Sequence, residues 1–307
     1  KSVETVKKLI RNLAMIGYTS LMLYTEDTYE VENEPVFGYL RGRYTKAEMK
    51  ELNAYANEWG IELIPCIQTL AHLNQLTRYK YTHFKCFDCG DILLVGAERT
   101  YELIENMFKT LSECYTSRRI HIGMDEAWLL GRGNYLNKNG LVPRFEILCS
   151  HLQKICEIAR KYDLKPMIWS DMFWRIAYGD KNCRDEKGKV IIPKEILAKI
   201  PKEITLCHWD YHYVTPDEYR ELLEIHKQFD NEVWFAGGTV EDNRGVIPHL
   251  TYSTKVAKAA IEEAKKFEIK SLMETVWGDN GGECSLFATL PAIMHYSYTA
   301  RGISQER

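Results

Sequence analysis

The stretch Arg119-Ile120-His121-Ile122-Gly123-Met124-Asp125-Glu126 is a short apolar run, a strand expected over Arg119–Met124, followed by two neighbouring acids. An apolar run of that length, without clean alternation, is the pattern of a strand buried on both faces, as in a parallel sheet. Six further runs of the same kind lie along the chain: Leu21–Tyr24, Glu62–Ile67, Pro166–Ser170, Ile204–His208, Glu232–Ala236 and Ser271–Val276. Amphipathic helical patterns separate them. Val3, Val6, Ile10 and Leu13 recur at helical spacing before Gly17, and Thr45-Lys46-Ala47-Glu48 is a capping-box sequence leading to Met49, Leu52 and Ala56. Tyr101, Ile104, Phe108 and Leu111 form another stripe, and Pro143 opens one through Phe145, Leu148, Leu152, Ile155 and Ala159. Thr215-Pro216-Asp217-Glu218 combines a cap, a first-turn proline and a capping acid, and Val256, Ala260, Ala264 and Phe267 continue the series.

Strands alternating with helices over 307 residues predict a single α/β domain, residues 1–307, of the (β/α)8 TIM-barrel type. Such a barrel needs eight strands and the runs number seven, so the expectation is that the first strand is missing from this chain, before Lys1. Ile92–Val95 is an alternative site for a short, irregular strand, and residues 72–95 and 179–190 read as loops.

Composition fits this picture. With 45% hydrophobic and 27% charged residues, a chain of this length can bury a large core without disulfides or metals. The net charge of -3 and the lack of a basic run predict no nucleic-acid partner. The sequence holds no apolar run of the roughly 18 residues a membrane helix needs, so no membrane partner is expected. Lys1 to Ile16 is amphipathic rather than signal-like, and nine cysteines, an odd number without a disulfide framework, predict a reducing, cytoplasmic setting. Cys86 and Cys89 form one C-x-x-C with His83 nearby, a weak signal for zinc without a second ligand pair; the expectation is no metal and no cofactor.

Active sites of such barrels lie at the C-terminal strand ends. Polar residues gather there: Glu26 and Asp27, Gln68 and His72, Asp125 and Glu126, Asp171, His208 to Asp210, and Trp277, Asp279 and Glu283. In an extended segment His121, Gly123 and Asp125 share a face, and Gly123 leaves room for a ligand or another backbone. Two adjacent acids repel one another and are driven to different pKa values, which suits glycoside hydrolysis: one protonates the leaving oxygen, the other stabilises the positive centre. On the dipeptide alone, an exposed acidic pair in a loop explains the residues as well.

His121-Ile122-Gly123-Met124-Asp125-Glu126 resembles the H-x-G-G-D-E motif of glycoside hydrolase family 20, the β-N-acetylhexosaminidases. Tyr24-Thr25-Glu26-Asp27 is similar to that family's T-D-D segment, and Pro65-Cys66-Ile67-Gln68-Thr69-Leu70-Ala71-His72 to its P-x-x-D-M-P-G-H segment. The resemblance runs from the first helix to Trp277 and looks closest to the streptococcal-type branch. The chain departs from the pattern at Met124, Gln68 and Ala71, and no arginine matches the one the family places after its first strand.

The resemblance implies a retaining exo-β-N-acetylhexosaminidase that removes terminal β-linked GlcNAc or GalNAc. The substrate's 2-acetamido oxygen serves as nucleophile through an oxazolinium ion. It implies Glu126 as general acid and base, Asp125 as the anion orienting the acetamide, and Asp27 with His72 as a relay behind the acid. Sugar contacts are expected from His121, Trp169, Trp209, Tyr211, Tyr213, Trp277, Asp279 and Glu283, with Trp174 a rival for the same wall. The implied partner is a small-molecule or glycan substrate ending in N-acetylhexosamine, with flanking domains possible outside the chain. Two other readings stay open: a metal-dependent barrel hydrolase using His208, Asp210 and His212, and a catalytically silent sugar-binding barrel.

Overall fold

The computed structural model describes residues 1–240, 247–278 and 284–303. These residues group into two compact units, one of Lys1–Ala14 with Thr19–Thr205, the other of Met15–Tyr18 with the described residues from Leu206 onward.

In the first unit the order is α1 (Val3–Ile16, its last residues in the other unit), β1 (Ser20–Tyr24), α2 (Lys46–Glu58), β2 (Glu62–Cys66), α3 (Glu98–Cys114), β3 (Arg119–His121), α4 (Asn134–Asn139), α5 (Arg144–Lys161), β4 (Lys165–Trp169), α6 (Asp171–Tyr178) and α7 (Lys194–Leu197). The four strands pair in parallel in chain order, with Ser20 opposite Glu62, Cys66 opposite His121 and Arg119 opposite Lys165. Parallel neighbours need a crossover, and each helix between strands supplies one. The helices form where their apolar stripes predict. α1 buries Val6, Ile10 and Leu13, and α5 buries Phe145, Leu148, Leu152, Ile155 and Ala159. Thr45 accepts from the Glu48 N–H at 3.1 Å while Glu48 accepts from the Thr45 N–H at 2.8 Å, closing the capping box that starts α2.

The second unit holds β5 (Thr205–Trp209), α8 (Arg220–His226), β6 (Val233–Val240), α9 (Leu250–Lys266), β7 (Ser271–Trp277) and α10 (Leu290–Arg301). β5, β6 and β7 are again parallel, with Leu206 opposite Val233 and Trp234 opposite Ser271. Ala259, Ala260 and Ala264 of α9 pack with Phe235 of β6 and with Tyr219 and Leu223, while Ala257 and Ile261 meet Tyr296 of α10. Small residues on α9 let it lie close to its neighbours. Among the described residues all seven strands fall where the apolar runs predict them, and the repeating unit is the βα unit of the barrel class.

Three expectations are corrected. β3 ends at His121 rather than at Met124, because Gly123 (φ 70°) and Met124 (φ 73°) are left-handed and leave the extended region. The two-residue alternation that would put His121, Gly123 and Asp125 on one face therefore breaks. Ile92–Val95 is no barrel strand: Leu93 makes an isolated antiparallel bridge to Phe87. The loop from residue 72 holds a short 3-10 helix, Asn74–Tyr79, and a π turn, Lys80–Phe84. No helix of the described residues is long and apolar enough to cross a membrane.

Candidate active site

At the C-terminal ends of β1 to β4 the backbone ladder continues past the strands. Thr25 N–H donates to the Cys66 carbonyl at 3.0 Å, Ile67 N–H to His121 at 2.8 Å, and Trp169 N–H to Gly123 at 3.2 Å. The segments Thr25–Asp27, Gln68–His72 and Gly123–Glu126 thus lie side by side. Among the described residues, four of the nine non-glycine residues with positive φ sit in them: Glu26, His72, Met124 and Glu126. Each such residue costs on the order of 1 kcal/mol, and strain of this kind concentrates where side chains must be aimed.

Asp125 is the best-held carboxylate of the group. Its Oδ1 accepts from the Gln68 amide at 2.9 Å, and its Oδ2 lies 3.1 Å from His72 Nε2. The same nitrogen is 3.8 Å from Glu126 Oε2, so one imidazole sits between the two acids. Burial pushes the Asp125 carboxyl up, but the hydrogen bonds and charge of His72 and the Gln68 amide outweigh it and hold the group below the usual carboxylate range. The Asp125 carboxylate beside it in turn lifts His72 to about 9, against the opposing effect of burial, so His72 is a cation near neutrality.

Gln68 ties the group to the frame. Its Oε1 accepts from Met124 N–H at 3.2 Å and its amide reaches the Tyr24 hydroxyl at 3.3 Å, which donates to Glu26 at 3.0 Å. A Cβ on Gly123 would lie 2.0 Å from Gln68 Oε1, so only glycine admits the amide here.

Glu126 is held from the other side. Its backbone N–H donates to Asp171 Oδ2 at 3.2 Å, and Arg175, one turn along α6, donates from Nε to the same oxygen at 3.0 Å. Arg175 Nη2 lies 3.9 Å from Glu126 Oε1. Burial, reinforced by the charge of Asp125, raises Asp171 to about 7.

The expected residues are not all placed as expected. Asp27 is 2% exposed and accepts from Arg41 Nε at 3.3 Å; no hydrogen bond or ion pair joins it to His72. His72 meets the acids directly instead of standing behind them with Asp27. His121 is fully buried, its ring tilted at 52° against Trp169 with centres 4.2 Å apart, and burial lowers it to about 3, so it is neutral packing beneath the acids. Trp169 is likewise buried.

In the second unit, Trp209 and Tyr211 stack at 5.7 Å, and Tyr211 lies so close to Gly238 that a Cβ there would meet its ring at 2.7 Å. Tyr213 N–H donates to the Tyr219 hydroxyl at 3.2 Å, and Trp277 closes β7. Asp279 and Glu283 lie outside the described residues. His208 packs 4.3 Å from His226, and burial together with that neighbour lowers it well below its ordinary value. Asp210, raised to about 7 by burial, accepts from the His212 N–H at 3.3 Å. Among the described residues no three His, Cys, Asp or Glu side chains gather as metal ligands, so His208, Asp210 and His212 do not converge. In the C-x-x-C, Cys86 is buried and Cys89 donates to the Leu129 carbonyl at 3.3 Å.

Sequence reasoning placed Gln68 and Tyr24 at strand ends without giving them a role, and did not single out Arg175 or Arg41. The spacing of Asp171 and Arg175, four apart at a helix start, is the one pairing signal that was readable.

Residues 12–215 match the family model described as glycosyl hydrolase family 20, catalytic domain. The chain is similar to hexosaminidase D of Homo sapiens, 24% identical over 213 residues, which are 64% of this chain and 39% of that protein. It spans well under half the length of that relative. Among solved structures, the β-N-acetylhexosaminidase from Bacteroides fragilis superposes with a TM-score of 0.70 at 17% identity, over 97% of this chain and 62% of that one. The GH20 exo β-N-acetylglucosaminidase from Vibrio harveyi, in complex with N-acetylglucosamine, gives 0.69 at 14% identity over 98% and 52%. At these identities the likeness shows a shared fold.

Proposed function

Because the chain belongs to glycosyl hydrolase family 20, we propose that it acts as a retaining exo-β-N-acetylhexosaminidase on glycans ending in β-linked GlcNAc or GalNAc, with the substrate's acetamide as nucleophile. The observation that carries this reading is the pair of adjacent acids with unequal surroundings: Asp125 fixed by His72 and Gln68, Glu126 more open and held through its backbone by Asp171.

The chemistry follows from those surroundings. Glu126 gives its proton to the glycosidic oxygen as the bond to the anomeric carbon breaks, and the acetamide oxygen bonds to that carbon from the opposite face. The acetamide N–H turns acidic as the ring closes. Asp125, kept ionised, has lone pairs left beside His72 and Gln68 to accept that N–H and to balance the positive charge. Water then attacks, Glu126 takes its proton, and the sugar leaves with its configuration retained. The cationic His72 keeps Asp125 ionised although it is buried next to a second acid. The steps need no metal. We also propose a reducing compartment, supported by nine cysteines of which eight are buried.

The test is hydrolysis of 4-nitrophenyl N-acetyl-β-D-glucosaminide and galactosaminide by the purified protein, with and without excess EDTA. Release of N-acetylhexosamine in both conditions, and its loss in Asp125→Ala, are expected. No release supports the silent sugar-binding barrel, and loss in EDTA alone supports the metal-dependent one.

A further inference from the structure

Two residues beyond Glu126 stands Trp128, whose indole is 50% exposed. An exposed aromatic ring is ordinarily mobile, but this one is pinned. Its backbone N–H donates to the Glu126 carbonyl at 2.7 Å and its backbone carbonyl accepts from Arg144 Nη1 at 3.3 Å, which fixes the main chain that carries the indole; the ring itself is held by Arg175. The Arg175 guanidinium lies 4.4 Å from the Trp128 ring centre and 4.4 Å from that of Trp174, so the cation is layered with two indoles. Arg175 is fixed in turn by Asp171, 1% exposed, and reaches to 3.9 Å from Glu126 Oε1. The same guanidinium therefore lies against the indole and within 3.9 Å of the Glu126 carboxylate, two residues back along the chain.

A ring held rigid while half its surface stays in water carries apolar area that the fold does not use. A pyranose presents a face of C–H groups edged by hydroxyls, and such a face stacks on an indole. Glu126 protonates the oxygen between the departing part of the substrate and the sugar being removed, so a platform beside that carboxylate faces the departing part. We propose that Trp128, clamped by Arg175, is the platform for the sugar ring on the leaving-group side of the cleaved bond, and that it gives the enzyme preference for glycan over small aglycones. This rests on the glycosidase reading above.

Two substrates separate the ideas: N,N'-diacetylchitobiose, whose leaving group is a pyranose, and methyl N-acetyl-β-D-glucosaminide, whose leaving group has no ring. Both leave as alkoxides that need the same proton. Trp128→Ala is expected to lose about tenfold more kcat/KM on the disaccharide than on the methyl glycoside, mostly through KM, and Trp128→Phe to recover most of that difference. Equal losses on both substrates, no loss on either, or no recovery with Phe overturns the platform. If the unmodified protein cleaves neither substrate while folded, the glycosidase reading fails and the platform with it; a platform failure alone leaves cleavage of both intact.

Discussion

Replacing His72 by Gln removes the one imidazole that stands between the two acids. His72 Nε2 is 3.1 Å from Asp125 Oδ2, and that ion pair raises its pKa from 6.5 to about 9. At about 1.4 kcal/mol per pH unit, such a rise amounts to ~3 kcal/mol. The imidazole is 31% exposed, and solvent screening reduces this to about 1–2 kcal/mol. The folded state holds this proton more tightly than the unfolded chain does. The stabilisation is therefore full below pH 6.5 and is lost as pH rises through about 9. Asp125 sets the opposite edge: held below the usual carboxylate range, its part is present above that range and lost as pH falls. Urea unfolding near pH 6 and near pH 9.5 reads both proteins. The unmodified protein should lose about 1–2 kcal/mol more than His72→Gln over that interval. An equal loss in both proteins, or an imidazole that titrates at or below 6.5 by NMR, refutes the ion pair.

Gly123→Ala should destabilise the protein by about 2–4 kcal/mol and disable hydrolysis, since its Cβ would meet Gln68 Oε1 at 2.0 Å and the Ile67 carbonyl at 2.8 Å with φ at 70°. An unchanged unfolding midpoint contradicts that packing. In the second unit, burial raises Glu274 to about 8, with the Tyr18 hydroxyl donating to it at 2.5 Å and Thr239 bonded beside it. Its folded pKa is raised, so it stabilises fully below its unfolded value and loses that contribution as pH climbs through about 8. Glu274→Gln should flatten the stability profile between about pH 5 and 8, and an unaltered slope there shows that this carboxyl is already ionised.

The strands were legible in the sequence because each is an apolar run closed by polar residues, and parallel strands covered on both faces leave that mark. The helices were legible from stripes such as Val6, Ile10 and Leu13, which the fold buries as spaced. Asp125 and Glu126 could be placed at the mouth of β3 for the same reason. Their partners could not. His72 meets Asp125 directly because the backbone turns left-handed at His72, Met124 and Glu126, and no period read from the sequence anticipates such a turn at a non-glycine residue. The glycine pattern signalled it only at Gly123. Asp27 was read with His72 from a resemblance of short segments, whereas the fold gives it to Arg41, a residue fourteen positions on that no spacing rule selects. His121 looked like a contact for substrate because it belongs to the motif; it is a buried ring packed on Trp169.

The most direct measurement is the leaving-group dependence of Glu126→Gln. Two N-acetyl-β-D-glucosaminides are compared, one with a 2,4-dinitrophenyl group, which departs without a proton, and one with a methyl group, which cannot. If Glu126 delivers the proton, the substitution should cost at least about a hundredfold more in kcat/KM on the methyl glycoside than on the dinitrophenyl one. Equal losses on the two substrates, or wild-type rates on the methyl glycoside, would mean that Glu126 is not the acid.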